Sequence, residues 1–397
     1  MSDATVIAPT PASARDAPPP ALRLAVYCDF PYRRVDGRVH ASDAFALFLD
    51  ELARRVRGLT LVGRVDPRAG SAPYRLEHAA FAELPFYEAL TSPARSLRTM
   101  AASLRRFSRV LDDVDAVWLL GPHPLAIAFA LLARARGRRV VLGVRQSMDA
   151  YMRSRHPGRR WLWAAGAILE RAWRLLARRL PVVVVGPELA EQYRSARELL
   201  PATISLIRAA EIDDGRRPEP SDEVRLLSVG RLDAEKNPLL LADILAALND
   251  GDRRWRLTVC GTGALEDALA DRLRALGVDD RAELLGYVPF DGGLADRYRE
   301  SDLLLHVSWT EGLPQVLFEA FAAGLPVVAT DVGGVRAAAG GASELIGAGD
   351  ADAAVAALRG LVDDPERREV LVEAGRQLVR THTVEAETGR IARFIAG

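Results

Sequence analysis

From residue 22 onward the chain alternates short apolar, β-branched runs with longer stretches in which apolar residues recur every three or four positions. Parallel strands joined by crossover helices produce this pattern. A strand covered on both faces reads as a continuous apolar run, whereas a covering helix buries one face only. Strands are predicted at "LRLAVYC", "LTLVGRV", "DAVWLLG", "RRVVLGV" and "LPVVVVG", with helices between most of them. The periodicity stops at 207–223, where "IRAAEIDDGRRPEPSDE" is charged and Pro-containing, and this stretch reads as a linker. It restarts with strands at "VRLLSVGRL", "RWRLTVCGTG", "AELLGYV", "DLLLHVSW" and "LPVVATDVGG", and helical patterns close the chain. The fold class implied is α/β: two Rossmann-like, doubly wound domains in tandem, 21–206 and 224–380. Residues 381–397 are expected to form a helix packing back towards the N-terminal domain. The Ala/Pro-rich residues 1–20 are expected to be a disordered tail that lacks the charged and apolar regions of a signal peptide.

A length of 397 residues suits two domains, and 49% hydrophobic with 27% charged residues suits a globular chain with a substantial core. The zero formal charge conceals a division. Residues 1–200 carry 31 Arg against 19 acids, while 201–397 carry 22 basic against 34 acidic residues. Cys28 and Cys260 both fall in strand-like runs, which argues against a disulfide framework and points to the cytoplasm. No apolar run approaches the roughly 18 residues of a spanning helix.

In doubly wound sheets ligands bind beyond the carboxyl ends of the strands, where helix N-termini present free N–H groups. Two such loops stand out. "RLDAEKNPLL" holds Lys236, the only lysine in a chain otherwise committed to arginine. "SWTEGLPQVLFEAFAAGLPVVATDVGG" holds Glu311 at a strand end and Glu319 about two turns into a nearly all-apolar helix, where a charged group needs partners that ligand hydroxyls would supply.

These stretches resemble the donor-binding domain of retaining GT-B nucleotide-sugar glycosyltransferases, glycosyltransferase family 4. Glu311 and Glu319 match the family's E-x7-E pair, "GRLDAEKN" matches its Gly-Arg-Leu…Glu-Lys-Asn loop, and "ISLIRAAEID" is similar to its interdomain segment in weakened form. The resemblance covers nearly all of 22–397 and is specific from about 204. It implies a GT-B fold whose two domains face an interdomain crevice, with Arg231 and Lys236 on the donor diphosphate. It also implies Glu319 on the ribose hydroxyls, Glu311 on the transferred sugar, and the backbone of Gly230, Gly312, Leu313, Gln315 and Val316 around phosphate and sugar. Tyr287 and Val288 in "GYVP" match the place where the family lays the nucleobase, although Tyr287 also reads as a packed strand residue. Gly261 and Gly263 in "GTG" read equally as a donor loop or as a tight turn. Arginine, lysine and a helix dipole can stabilise a leaving diphosphate without metal. No cofactor is implied.

The N-terminal domain is expected to hold the acceptor. Where the family has a Gly-Gly turn after the first strand, this chain has "CDFPYRRVDGRVHASD" with Gly37 alone, and where many members have a His it has Arg145 and Gln146. Arg145 reads as a ligand contact or a surface strand-end residue, and His123 in "LGPHPL" as a crevice or structural residue. The strings Asp113–Asp115 and Asp350–Asp352 precede a strand and cap a helix, and are not read as metal sites. Residues 134–179 hold 13 Arg and two acids, interleaved with Trp161, Trp163 and Trp173. That segment suits either an anionic membrane surface or a helix with Trp packed and Arg solvated, and no nucleic-acid-binding motif accompanies it. The implied activity is retaining, metal-independent hexosyl transfer from a nucleoside-diphosphate sugar to a glycan, lipid-linked or small-molecule acceptor. Such activity serves polysaccharide or glycoconjugate biosynthesis, in the cytoplasm or peripheral on the cytosolic face of the membrane. The alternatives are a GT-B-fold sugar-nucleotide epimerase and a non-catalytic nucleotide-sugar-binding membrane scaffold.

Overall fold

The computed structural model describes residues 5–6, 21–68, 72–87, 93–155, 158–215, 219–251, 254–312 and 314–397. The chain divides into two units, Met1–Leu206 with Val384–Gly397, and Ile207–Thr383.

The first unit is built on strands β1 (Thr5–Val6), β2 (Arg23–Val35), β3 (Arg38–Ala41), β4 (Gly58–Val65), β5 (Tyr74–Arg75), β6 (Ala80–Leu84), β7 (Ala116–Gly121), β8 (Arg139–Val144), β9 (Pro181–Val185) and β10 (Glu198–Ala202). Its parallel ladder runs β6-β4-β2-β7-β8-β9-β10-β1. Side chains alternate between two cores as a doubly covered strand requires. Leu24, Val26 and Trp118 face one layer, and Ala25, Tyr27, Val117 and Leu119 the other. β2 runs on past the expected loop and folds back as an antiparallel hairpin with β3 through Asp36 and Gly37, both at positive φ. Asp-Gly at such a two-residue turn is the chemistry a tight hairpin demands. Gly37 therefore has a local reason to be glycine, and "CDFPYRRVDGRVHASD" is largely strand where a loop was expected. Thr5–Val6 extends the edge of β10, which the disordered reading of 1–20 did not anticipate: two β-branched residues pair with an otherwise open strand edge. The rest of 1–20 lies outside the described residues.

Helix Val384–Ala396 belongs to this unit, burying Ile391, Phe394 and Ile395 in the same core as Leu24 and Trp118. Arg139 donates to the carbonyls of Ile395 and Phe394 at 2.8 and 3.2 Å, satisfying acceptors that the last turn leaves without helical partners.

The second unit carries β11 (Glu223–Val229), β12 (Arg254–Cys260), β13 (Ala282–Leu284), β14 (Leu303–His306), β15 (Val327–Thr330) and β16 (Glu344–Ile346), all parallel, in the order β13-β12-β11-β14-β15-β16. Leu226, Leu303 and Leu305 face one helical layer while Leu227, Leu304 and Val327 face the other. The stretch after Leu206 joins this unit: Ile207 is in its core and the Asp213 amide donates to the Ala322 carbonyl at 2.7 Å.

Candidate donor site

The loops at the carboxyl ends of β11, β12 and β14 are tied together by backbone. Gly230 donates to the Cys260 carbonyl at 3.0 Å, Leu232 to Thr262 at 3.0 Å, and Leu265 to Leu232 at 2.8 Å. A Cβ on Gly261 would stand 1.8 Å from the Gly230 oxygen, and one on Gly263 would stand 2.4 Å from the Leu232 carbonyl carbon. Close passage of the neighbouring loop accounts for both glycines, whatever ligand lies above them. Asp233 adds a side-chain tie, accepting from the Ala264 amide at 3.2 Å.

Lys236 ends a single 3-10 turn, Ala234–Lys236. Asn237 then takes a left-handed φ of 53°, and Pro238 leads into helix Leu239–Asn249. The turn is held against the loop after β14 by a 2.9 Å bond from the Trp309 amide to the Glu235 carbonyl. Lys236 Nζ thereby reaches Glu311 Oε1 at 2.5 Å. The same oxygen meets Ser308 Oγ at 2.6 Å and His306 Nε2 at 2.9 Å. Ser308 is in turn fixed through its carbonyl, which accepts from Thr330 Oγ1 at 2.8 Å. Burial alone would raise the Glu311 pKa. The His306 hydrogen bond and the Lys236 charge outweigh it and bring the pKa down to about 2, so this is a permanent carboxylate. Its Oε2 makes no hydrogen bond among the described residues.

Glu319 lies on helix Gln315–Ala322 among buried Leu317, Phe318, Ala320 and Phe321. Its polar partner is Tyr298, whose hydroxyl donates to Oε2 at 2.7 Å from an almost fully buried ring. Burial raises the Glu319 pKa to about 7, and the Tyr298 bond offsets only part of that rise. The two glutamates thus differ in kind: Glu311 is held ionised by a cation and two further hydrogen-bonding groups, while Glu319 is poised between its charged and neutral forms.

The remaining candidates fall in varied settings. Arg231 is mostly exposed and bonded to carboxylates of its own loop, Asp233 and, at 2.5 Å, Glu235. Gln315 and Val316 open the eight-residue helix after Pro314, which supplies no side-chain cap. Tyr287 is 57% exposed, and Val288 packs at the rim of the core. Gly312 is exposed, and Leu313 lies outside the described residues. In the first unit, Arg145 stacks over the Phe45 ring at 4.0 Å and approaches Asp43 at 3.7 Å. His123 caps helix Pro124–Ala135: Nδ1 accepts from the Leu125 amide at 3.2 Å and Nε2 faces Asp29 at 3.3 Å. Burial lowers its pKa against the opposing pull of Asp29. Nδ1 also lies 3.1 Å from the Tyr27 hydroxyl, so both ring nitrogens have partners within the first unit. Of the two Asp-x-Asp strings, Asp350 caps its helix through the Ala353 amide at 2.9 Å, and Asp115 grips Arg23 at 2.9 Å. His306, Ser308 and Tyr298 were not foreseen. The available signal was a polar residue closing the apolar run "DLLLH" and a lone aromatic in the polar helix "ADRYRE".

Residues 210–378 match the model of the family described as glycosyl transferases group 1. That match lies within the second unit and covers less than half of the chain. A D-inositol 3-phosphate glycosyltransferase of Kineococcus radiotolerans is 37% identical over 168 residues, 38% of each chain. The match thus spans well under half the length of that curated relative. Among solved structures, WaaG, a glycosyltransferase of lipopolysaccharide biosynthesis, aligns over 94% of this chain and 100% of its own at a TM-score of 0.66 and 18% identity. Anabaena Alr3699/HepE in complex with UDP and glucose aligns over 94% and 98% at 0.66 and 16%. At these identities the likeness shows the fold alone, which is GT-B.

Proposed function

We propose that the chain is a retaining, metal-independent glycosyltransferase that moves a sugar from a nucleoside-diphosphate donor to a glycan, lipid-linked or small-molecule acceptor. The observation that carries this reading is the Lys236–Glu311 contact, which sets a cation against a permanent carboxylate at the carboxyl end of the sheet. Lys236 turns from Glu311 to the leaving diphosphate, where charge grows as the C–O bond breaks. Arg231 and the N–H groups of Gln315 and Val316 add to the same field. Glu311 Oε2 accepts from hydroxyls of the transferred sugar, and Glu319 accepts from the ribose hydroxyl pair. The acceptor oxygen attacks the face the diphosphate leaves, and its proton passes to a departing phosphate oxygen, so the anomeric configuration is kept. The UDP bound in the Anabaena structure supports a nucleotide donor of this class. Incubation with a panel of UDP-, GDP- and ADP-sugars tests the reading. It predicts slow release of free nucleoside diphosphate from at least one donor without acceptor and faster release with one. Release from none would contradict it, and conversion of a donor to its epimer would favour the epimerase.

A further inference from the structure

Helix Arg160–Ala177 has two apolar faces, and among the described residues only one of them is covered. Gly166, Glu170, Trp173 and Ala177 are buried against the first unit, with Trp173 at 0% exposure and Gly166 closed by Met152. On the outer side Trp161, Ile168 and Leu175 stand 65%, 71% and 52% exposed. They follow one another at intervals of seven residues, and exposed Ala164 and Ala165 fill the gaps. At about 100° per residue these side chains occupy one stripe roughly 100° wide. Arg160, Arg171, Arg174 and Arg178, all exposed, fall together along one border of that stripe. Among the described residues none of these four guanidinium groups is in an ion pair. Arg171, Arg174 and Arg178 line a groove with Ile168 and Leu175. The two readings of this segment therefore apply to different residues: Trp173 packs, whereas Trp161 faces out.

We propose that this outer face docks on an anionic lipid bilayer. The apolar stripe enters the interface and the arginine row meets lipid phosphates. A helix with a wide apolar stripe bordered by cations lies in the plane of a membrane, and no helix among the described residues is long and apolar enough to cross one. The charge of the row selects a lipid surface over a second copy of the same cationic face, which would repel itself. The proposal is independent of the donor site, since docking needs no nucleotide.

The test is flotation of the full chain with phosphatidylcholine vesicles, with and without 30% phosphatidylglycerol, for the wild type, Ile168→Glu, and Arg171→Glu/Arg174→Glu/Arg178→Glu. The substituted side chains point outward, and thermal melts confirm that the variants stay folded. The wild type is expected to partition at least tenfold better onto the anionic vesicles. Each variant should lose at least tenfold of that binding, and Trp161 should be quenched by brominated lipid. Three outcomes would overturn the proposal: no flotation with anionic vesicles, equal flotation with neutral ones, or binding that survives both variants. Self-association lost in Ile168→Glu with no vesicle binding would overturn it too, by assigning the face to a second copy.

Discussion

Glu319 offers a test in which function and stability oppose each other. Its carboxyl titrates near 7 in the folded chain against 4.5 for the ordinary side chain, because burial disfavours the charge and the Tyr298 hydroxyl compensates only in part. An acid with a higher pKa folded than unfolded binds more protons folded, so stability falls as pH rises through the interval from 4.5 to about 7. Above that interval the loss is complete. The displacement corresponds to about 3 kcal/mol at most. Glu319→Gln keeps an oxygen to accept from Tyr298 and removes the buried charge. Urea unfolding without donor should therefore find the variant within about 1 kcal/mol of wild type at pH 5 and about 2 kcal/mol more stable at pH 8.5. Donor affinity should move the other way, with the donor Michaelis constant rising at least several-fold, since neutral amide replaces the carboxylate proposed to accept the ribose hydroxyls. Equal stability differences at the two pH values would refute the buried-charge argument, and unchanged donor kinetics would remove Glu319 from the site.

Lys236→Ala should leave the fold intact and reduce turnover by about 100-fold or more, the scale of losing one transition-state charge stabiliser, as read by steady-state kinetics. Lys236→Arg should also lose much of the rate, because a planar fork replaces a compact ammonium seated at 2.5 Å from Glu311; wild-type turnover would contradict this. Tyr298→Phe removes the bond that lowers the Glu319 pKa, so the pKa should climb above about 7. Donor binding should then weaken at pH 7 and recover towards pH 9, and a flat pH profile would count against it. Turnover should survive excess EDTA, and its complete loss with restoration by Mg or Mn would show that the cationic side chains do not suffice.

The central strands of both sheets were legible because parallel, doubly covered strands are uninterrupted apolar runs, whereas β6 and β10, towards the sheet edges, were not predicted. Runs such as "VRLLSV" and "DLLLH" leave little else to consider. Less visible were the β2–β3 hairpin, whose arginines at 33, 34 and 38 make an antiparallel extension look like a polar loop, and β16, three residues long. At the site, Lys236, Glu311 and Glu319 could be named from their motifs. Their individual states could not, since those depend on Tyr298, His306 and Ser308, which reach the glutamates through tertiary packing across 21, five and three positions. The likeness to solved structures extends across both units at 16–18% identity, so the fold persists where the motifs of the first unit have diverged.

The central claim is that Lys236, against Glu311, receives the diphosphate of a sugar nucleotide. Calorimetric titration of UDP, GDP and ADP into wild type and Lys236→Ala tests it most directly. One of the three should bind the wild type with one-to-one stoichiometry, and the variant should bind that nucleotide at least tenfold more weakly while unfolding at the same temperature. Failure of all three to bind, or equal affinity in the folded variant, would contradict it.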